Sequence, residues 1–357
     1  MGIGCVKQQG EAFKQLGSKA IIVTGKYSAK ANGSLADVTK TLEKARIDYT
    51  IYDKVMSNPS VDCAYEGAEL AKEFGAEFVI SIGGGSPMDA GKAVAMLAVQ
   101  EIPREELFQG VYEDKVLPMV HIPTTAGTGS EVTQYAILTN DRAQTKTSIA
   151  TPILFPTLAL LDPIYMESLG RITTIHTTID ALSHAVEGML SVRSTPMTDA
   201  LAVESIKNIV SCYDSLKKGK LTIDERGKLL YASMLAGIVI AHTGTTAVHS
   251  LGYSLTYFRD IDHGRANGLL MGAFFRFIAK IKPEEINRIL DAMDLVSINR
   301  FEAWIDELLG EKETVTGEEM EKFTEIAMNA KNLTNSKVPL VKTDVLELYK
   351  HSFKHCF

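Results

Sequence analysis

The pattern of apolar and polar positions changes character once along the chain. From Lys19 to about Asp162, short β-branched or apolar runs alternate with segments whose apolar positions recur every three to four residues. Such alternation marks βα units. The runs Ala20–Thr24, Tyr49–Tyr52, Phe78–Ile82 and Met119–Ile122 predict strands, and Gly33–Ala45 and Val61–Phe74 carry helical spacing between them. Residues 1–162 therefore read as a parallel, doubly wound α/β domain. After Asp162-Pro163 the strand signal stops. Helical periodicity takes over in Ile175–Ser191, Met197–Lys217, Ile223–His242, Ala266–Lys280, Pro283–Met293 and Val345–His355, so residues 163–357 read as an all-helical domain. No internal repeat or low-complexity tract interrupts either half.

A length of 357 residues exceeds the usual single core, which agrees with two domains. Hydrophobic residues make up 45% and charged residues 23%, an ordinary globular balance. The formal charge of −7 argues against broad binding to nucleic acid or an anionic membrane surface. Cys5, Cys63, Cys212 and Cys356 form no C-x-x-C pair and point to a reducing compartment without a disulfide framework. The start, MGIGCVKQQGEAF, has no apolar signal core, and Val6 breaks a myristoylation pattern, so a cytoplasmic protein is expected. The longest apolar run, Leu229–Ala241, is shorter than the ~20 residues of a membrane helix and reads as a buried core helix.

Against this background four residues stand out. Asp180 and His184 lie four positions apart in a helical pattern, on one face and about 6 Å apart along the axis. His249 and His263 come from a later stretch. A carboxylate with three imidazoles and no thiolate suits Fe(II), Zn(II) or a similar divalent ion. Each histidine alone is as readily a core or capping residue; the set of four is what suggests a metal site.

Two loops suggest a nucleotide. The strand Phe78–Ile82 runs into Gly83-Gly84-Gly85-Ser86-Pro87, and a helix follows from Ala90. Backbone N–H groups free of β-carbons, at the positive end of a helix dipole, are suited to a pyrophosphate. The other reading is a tight βα turn without ligand. Pro123-Thr124-Thr125-Ala126-Gly127-Thr128-Gly129-Ser130 follows the next strand, where its hydroxyls and amides suit the nicotinamide half or simply cap a helix. The first strand ends in Gly25-Lys26-Tyr27-Ser28 without the carboxylate that binds a ribose 2′-OH and repels a 2′-phosphate. Gly25 leaves room there, and Lys26 and Ser28 supply charge and hydrogen bonds, so NADP is the preferred nucleotide and NAD the alternative.

GGGSPMD, PTTAGTGSEVT, TTIDALSHAVEG and AVHSLGY…DHGRANG together resemble the iron-containing, or group III, alcohol dehydrogenases over nearly the whole chain, with short 1,3-propanediol- and butanol-type members most alike. The resemblance implies a dehydroquinate synthase-like architecture, with a dinucleotide-binding α/β domain and a helical metal domain. It implies Fe(II), with Zn(II) as the occupant after aerobic handling, held by Asp180, His184, His249 and His263. It also places Gly84, Gly85, Ser86, Thr124, Thr125, Thr128, Thr133 and Lys146 at the nicotinamide nucleotide and Asn58 at its adenosine side. Asp89 is a further candidate for that site, or else caps the helix it opens. Two departures stand out. Tyr253 occupies a position where many relatives have a second histidine, so a proton relay here falls to Tyr253, His242, the ribose or water. The chain also begins almost at Gly-x-Gly-Cys, whereas relatives carry an earlier strand that often serves dimer contacts; a homodimer is still the expected assembly.

The implied reaction is reversible hydride transfer between a small primary alcohol or diol and NAD(P), with a small alcohol or aldehyde as substrate and no nucleic-acid or membrane partner. Tyr135, Tyr253 and Phe258 are candidates for the substrate pocket, ordinary aromatic packing being the alternative. The rival readings are a glycerol dehydrogenase or dehydroquinate synthase type of enzyme, a metal-dependent hydrolase, and a nucleotide-binding regulatory protein with a degenerate site.

Overall fold

The computed structural model describes Met1–Phe353, which form two compact units: Met1–Thr125 with Gly129–Leu169, and Ala126–Thr128 with the residues from Gly170 onward.

In the first unit the elements run α1 (Gly10–Leu16), β1 (Lys19–Gly25), α2 (Ser28–Ala31), α3 (Ser34–Ala45), β2 (Asp48–Val55), α4 (Val61–Phe74), β3 (Phe78–Gly83), α5 (Gly85–Leu97) and β4 (Met119–Pro123). Then come β5 (Tyr135–Asn140), β6 (Thr145–Ala150) and β7 (Leu158–Ala159). The main sheet has the order β2-β1-β3-β4-β7, with every pair parallel. Strand alternation explains the double winding. Ala20 and Ile22 of β1 join one core cluster with Val38 and Leu42 of α3, while Ile21 and Val23 join the opposite one with Ala90 and Val94 of α5. A strand buried on both faces has to be a continuous apolar run, as β1 and β3 are.

The second unit is helical: α6 (Arg171–Met189), α7 (Pro196–Ser211), α8 (Tyr213–Lys218), α9 (Ile223–Thr243), α10 (Ala247–Arg259), α11 (His263–Ala279), α12 (Pro283–Ala292), α13 (Ile298–Leu309), α14 (Gly317–Met328) and α15 (Lys342–Ser352). Helix α6 packs on α7, α9 and α11, so its stretch from Thr178 to Met189 is buried throughout. Among the described residues no single helix is long and apolar enough to cross a membrane.

Several boundaries differ from the sequence reading. Helix α5 starts at Gly85, not Ala90, because Gly84 already serves as its N-cap. The stretch Met197–Lys217 breaks at Cys212 into α7 and α8, and α11 begins at His263 rather than Ala266. The antiparallel hairpin β5–β6 and the helices α13 and α14 were not anticipated. The residues that follow Asp162-Pro163 stay with the first unit as far as Leu169. The reason is local: Asp162 accepts hydrogen bonds from Gly4 N (2.7 Å) and Ile164 N (3.2 Å), and buried Tyr165 donates to Asp37 at 3.0 Å, which ties the segment to the first unit. The expected helix end at His355, and Cys356, lie outside the described residues.

Candidate metal centre and nucleotide-binding segments

Asp180 and His184 project from one buried face of α6, His249 from the first turn of α10, and His263 is the first residue of α11. Nε2 of His184, His249 and His263 lies 3.9, 3.7 and 3.7 Å from the single oxygen Oδ1 of Asp180. Donors around a tetrahedral ion with ~2.1 Å bonds stand about 3.4 Å apart, so this group needs little adjustment to close on one cation. Asp180, His184 and His249 are all buried and form a cluster fit for a metal ion. Gly264 makes the approach of α11 to α6 feasible, since a β-carbon there would lie 1.8 Å from the carbonyl oxygen of His176.

Electrostatics separates the ligands. Burial works against ionisation of Asp180, but the three imidazoles outweigh it and hold the carboxyl well below its usual range. Burial pushes His184 down to about 4, toward the neutral imidazole a cation needs. Burial also disfavours charge on His249, yet the neighbouring Glu187 carboxylate overrides it and lifts the ring to about 9. Glu187 has no exposed surface; it accepts from His249 Nδ1, from Thr246 N at 2.9 Å and from Thr246 Oγ1 at 2.7 Å. A carboxylate can only accept here, so Nδ1 keeps its proton, and a cation binding at Nε2 would displace the second proton that the charged ring carries there. Asn267 donates its amide to Asp180 Oδ1 at 3.1 Å and lies 3.2 and 3.3 Å from Nε2 of His249 and His263.

In the first unit, Gly83 adopts a φ of 149°, and a β-carbon there would lie 2.5 Å from the Pro87 ring. Glycine is thus required for the chain to turn from β3 into α5. Thr124 is pinned beside this turn by its N–H to Gly83 O at 2.8 Å. Ser86 Oγ accepts from Asn58 N at 3.3 Å, which brings Asn58 to the start of α5.

Residues 1–163 match the family model for iron-containing alcohol dehydrogenase, and residues 174–353 match the model for the C-terminal part of that family. The chain belongs to the iron-containing alcohol dehydrogenase family. An iron-containing alcohol dehydrogenase from Thermotoga maritima has the same fold, with a TM-score of 0.92 and 39% identity over 99% of this chain and 96% of that one. The NAD-dependent methanol dehydrogenase of Bacillus methanolicus is 33% identical over 82% of this chain and 77% of its own. The NADPH-dependent butanol dehydrogenase of Clostridium saccharobutylicum is 31% identical over 84% and 78%.

Within this alcohol dehydrogenase not every sequence candidate sits where it was expected. Asp89 is the fifth residue of α5 and caps nothing; it is buried and accepts from Ser130 Oγ at 2.6 Å. Thr133 and the carbonyl of Tyr135 turn inward to the buried ammonium of Lys92. Lys146, on β6, is close enough to Asp89 to favour its charged form. Gly84, Gly85, Ser86 and Thr125 stay half-exposed, while Thr128 falls in the short piece grouped with the second unit. At the end of β1, Gly25 is followed by exposed Lys26 and Ser28. The sequence reading missed Asp53 at the end of neighbouring β2, which pairs with Lys30 at 2.5 Å. Tyr253 stacks on His263, ring centroids 5.5 Å apart, and meets His249 edge-on. Phe258 instead stacks on Phe323 of α14, and His242 is exposed at the end of α9, with no hydrogen bond or ring contact joining it to the ligands among the described residues. Glu187 and Asn267 were also missed, although each lies three or four positions from a ligand on its own helix face, as His184 and His263 show.

Proposed function

We propose that this dehydrogenase transfers hydride reversibly between a small primary alcohol or diol and NADP, using Fe(II) held by Asp180, His184, His249 and His263. The observation that carries the reading is the convergence of three imidazole Nε2 atoms on one buried carboxylate oxygen. When bound, the metal supplies a Lewis acid for the alcohol or aldehyde oxygen and the nicotinamide supplies or takes up the hydride. The protein's own residues prepare that chemistry. Glu187 fixes the tautomer of His249, Asn267 steadies the Asp180 carboxylate, and Gly84, Gly85 and Ser86 offer main-chain donors at the start of α5 for a pyrophosphate, with Thr124, Thr125 and Thr128 beside the nicotinamide half. Tyr253, flat against His263, is the aromatic wall of the substrate pocket and carries a hydroxyl for a proton relay.

A small, weakly charged substrate is favoured over a phosphorylated or polycarboxylated one because the basic residues of the metal segments are already engaged. Arg259 pairs with Glu319 and Arg265 with Glu313, each at 2.6 Å. NADP is favoured over NAD because no carboxylate follows Gly25 in its turn and Asp53 is neutralised by Lys30. A homodimer in the cytoplasm completes the proposal.

The test is aldehyde reduction followed at 340 nm with metal-free protein, with Fe(II) restored anaerobically, and with each nucleotide. Turnover should require both metal and nucleotide. Unchanged 340 nm absorbance with metal and either reduced nucleotide present would overturn the dehydrogenase reading, and metal-dependent hydrolysis of an ester without nucleotide, followed by its released product, would establish the hydrolase reading instead.

A further inference from the structure

The four side chains that converge on the metal position are not equally secured. Asp180, His184 and His249 leave 5%, 6% and 3% of their side-chain surface exposed, whereas His263 leaves 24% and is the first residue of α11. A residue at a helix end is held by fewer main-chain hydrogen bonds than one in mid-helix, so its position depends on what its sequence neighbours touch. Both neighbours of His263 touch His176, which lies one turn before Asp180 on α6. Gly264 rests against the His176 carbonyl oxygen, where a β-carbon would come to 1.8 Å. Asp262 accepts from His176 Nδ1 at 2.6 Å.

Asp262 is used unusually for its type. It is the N-cap of α11, where an aspartate ordinarily accepts from main-chain N–H groups in the first turn of its own helix, yet its side chain makes no such bond. The carboxylate turns across to α6 instead. The connection from α10 to α11 is only residues 260–262, and the Ala266 N–H bonds the Asp262 carbonyl at 2.9 Å, so Asp262 moves with the start of α11. The His176 ring thus ties the helix that bears Asp180 and His184 to the residue next to His263.

We propose that His176, acting through Asp262, is a positioning residue for the metal ligand His263, and that this pair governs how long the site retains its cation. The proposal rests on the metal reading given above. His176 is not itself a ligand; it fixes the start of α11 against α6, so that the His263 ring is kept facing Asp180 and not solvent.

The experiment follows Co(II) loaded into the enzyme, by its visible d–d spectrum and by its rate of loss to excess chelator, beside thermal unfolding of the metal-free protein. His176→Phe keeps a ring without the donor, and His176→Asn keeps a donor near the place of Nδ1 without the ring. Asp262→Ser offers its own helix an N-cap hydroxyl but is too short to reach His176. Loss of Co(II) should be about tenfold faster in His176→Phe and in Asp262→Ser, with a changed d–d spectrum, while metal-free Asp262→Ser melts no lower than wild type. The double variant His176→Phe/Asp262→Ser should lose Co(II) no faster than either single one, since both remove the same contact, and His176→Asn should recover most of the retention. Wild-type retention and spectrum in His176→Phe and Asp262→Ser would overturn the proposal, as would additive losses in the double variant or losses that only follow a lowered melting temperature of the metal-free protein. A wild type that takes up neither Co(II) nor Zn(II) defeats the metal reading itself, and the proposal with it.

Discussion

Glu187 grips His249 by Nδ1 from a position with no exposed surface, and so decides which nitrogen of that ring faces Asp180. Thr246 supplies two further donors to the same carboxylate, which leaves its geometry little freedom. Glu187→Gln keeps the shape but removes the charge. It should weaken metal binding about 10–100-fold, measured by chelator competition with Zn(II) or Co(II) on metal-free protein. Unchanged affinity would show that the carboxylate does not tune this ligand.

Gly264→Ala tests the spacing of α11 against α6. The added β-carbon would lie 1.8 Å from a main-chain oxygen, so the helix start carrying His263 must move. Stability should fall by about 1–3 kcal/mol or more, with loss of metal retention. A variant with wild-type melting and full metal content would show that the backbone yields there at no consequence to the site.

The Glu131 carboxyl is raised by burial from 4.5 to about 7, so folding favours its protonated form. The stability this contributes is full below about pH 4.5 and is lost as pH rises through about 7. Glu131→Gln cannot ionise and should reduce the fall in stability across that window by ~1–3 kcal/mol. Denaturant unfolding at pH 5 and pH 8 provides the check. Parallel losses in wild type and variant would mean that Glu131 does not titrate there.

Gly25→Asp places a carboxylate after β1. A β-carbon at Gly25 would stand 3.3 Å from Val55 O and 3.9 Å from Ser28 Oγ, so the variant should fold after slight adjustment. The ratio of kcat/KM for NADPH over NADH should fall about tenfold or more. A wild-type enzyme that already uses NADH at least as well as NADPH would refute the nucleotide preference.

What the sequence revealed depended on how local the signal was. Asp180 and His184 share one helix face, and the glycine turn abuts its own strand, so both were legible from spacing alone. The buried runs of β1 and β3 announced a parallel sheet because both faces had to be apolar. The link from Lys92 to Thr133 spans 41 residues, and hydroxyls on a loop carry no periodicity, so nothing marked them as partners. Asp53 escaped notice for a related reason: it reaches the end of β1 only through the pairing of β1 with β2. Glu187 and Asn267 were within helical reach of ligands, but a buried carboxylate or amide that holds a ligand looks in sequence like any other polar residue.

Among the described residues Lys92 is the lysine with no surface open to solvent. An amine-directed acylating reagent should therefore modify the other described lysines of the folded enzyme while sparing this one, since an ammonium committed to three acceptors offers neither access nor a free electron pair. Its labelling then becomes a clock for opening of the α/β unit around α5, read by mass spectrometry on a single peptide of the wild-type sequence.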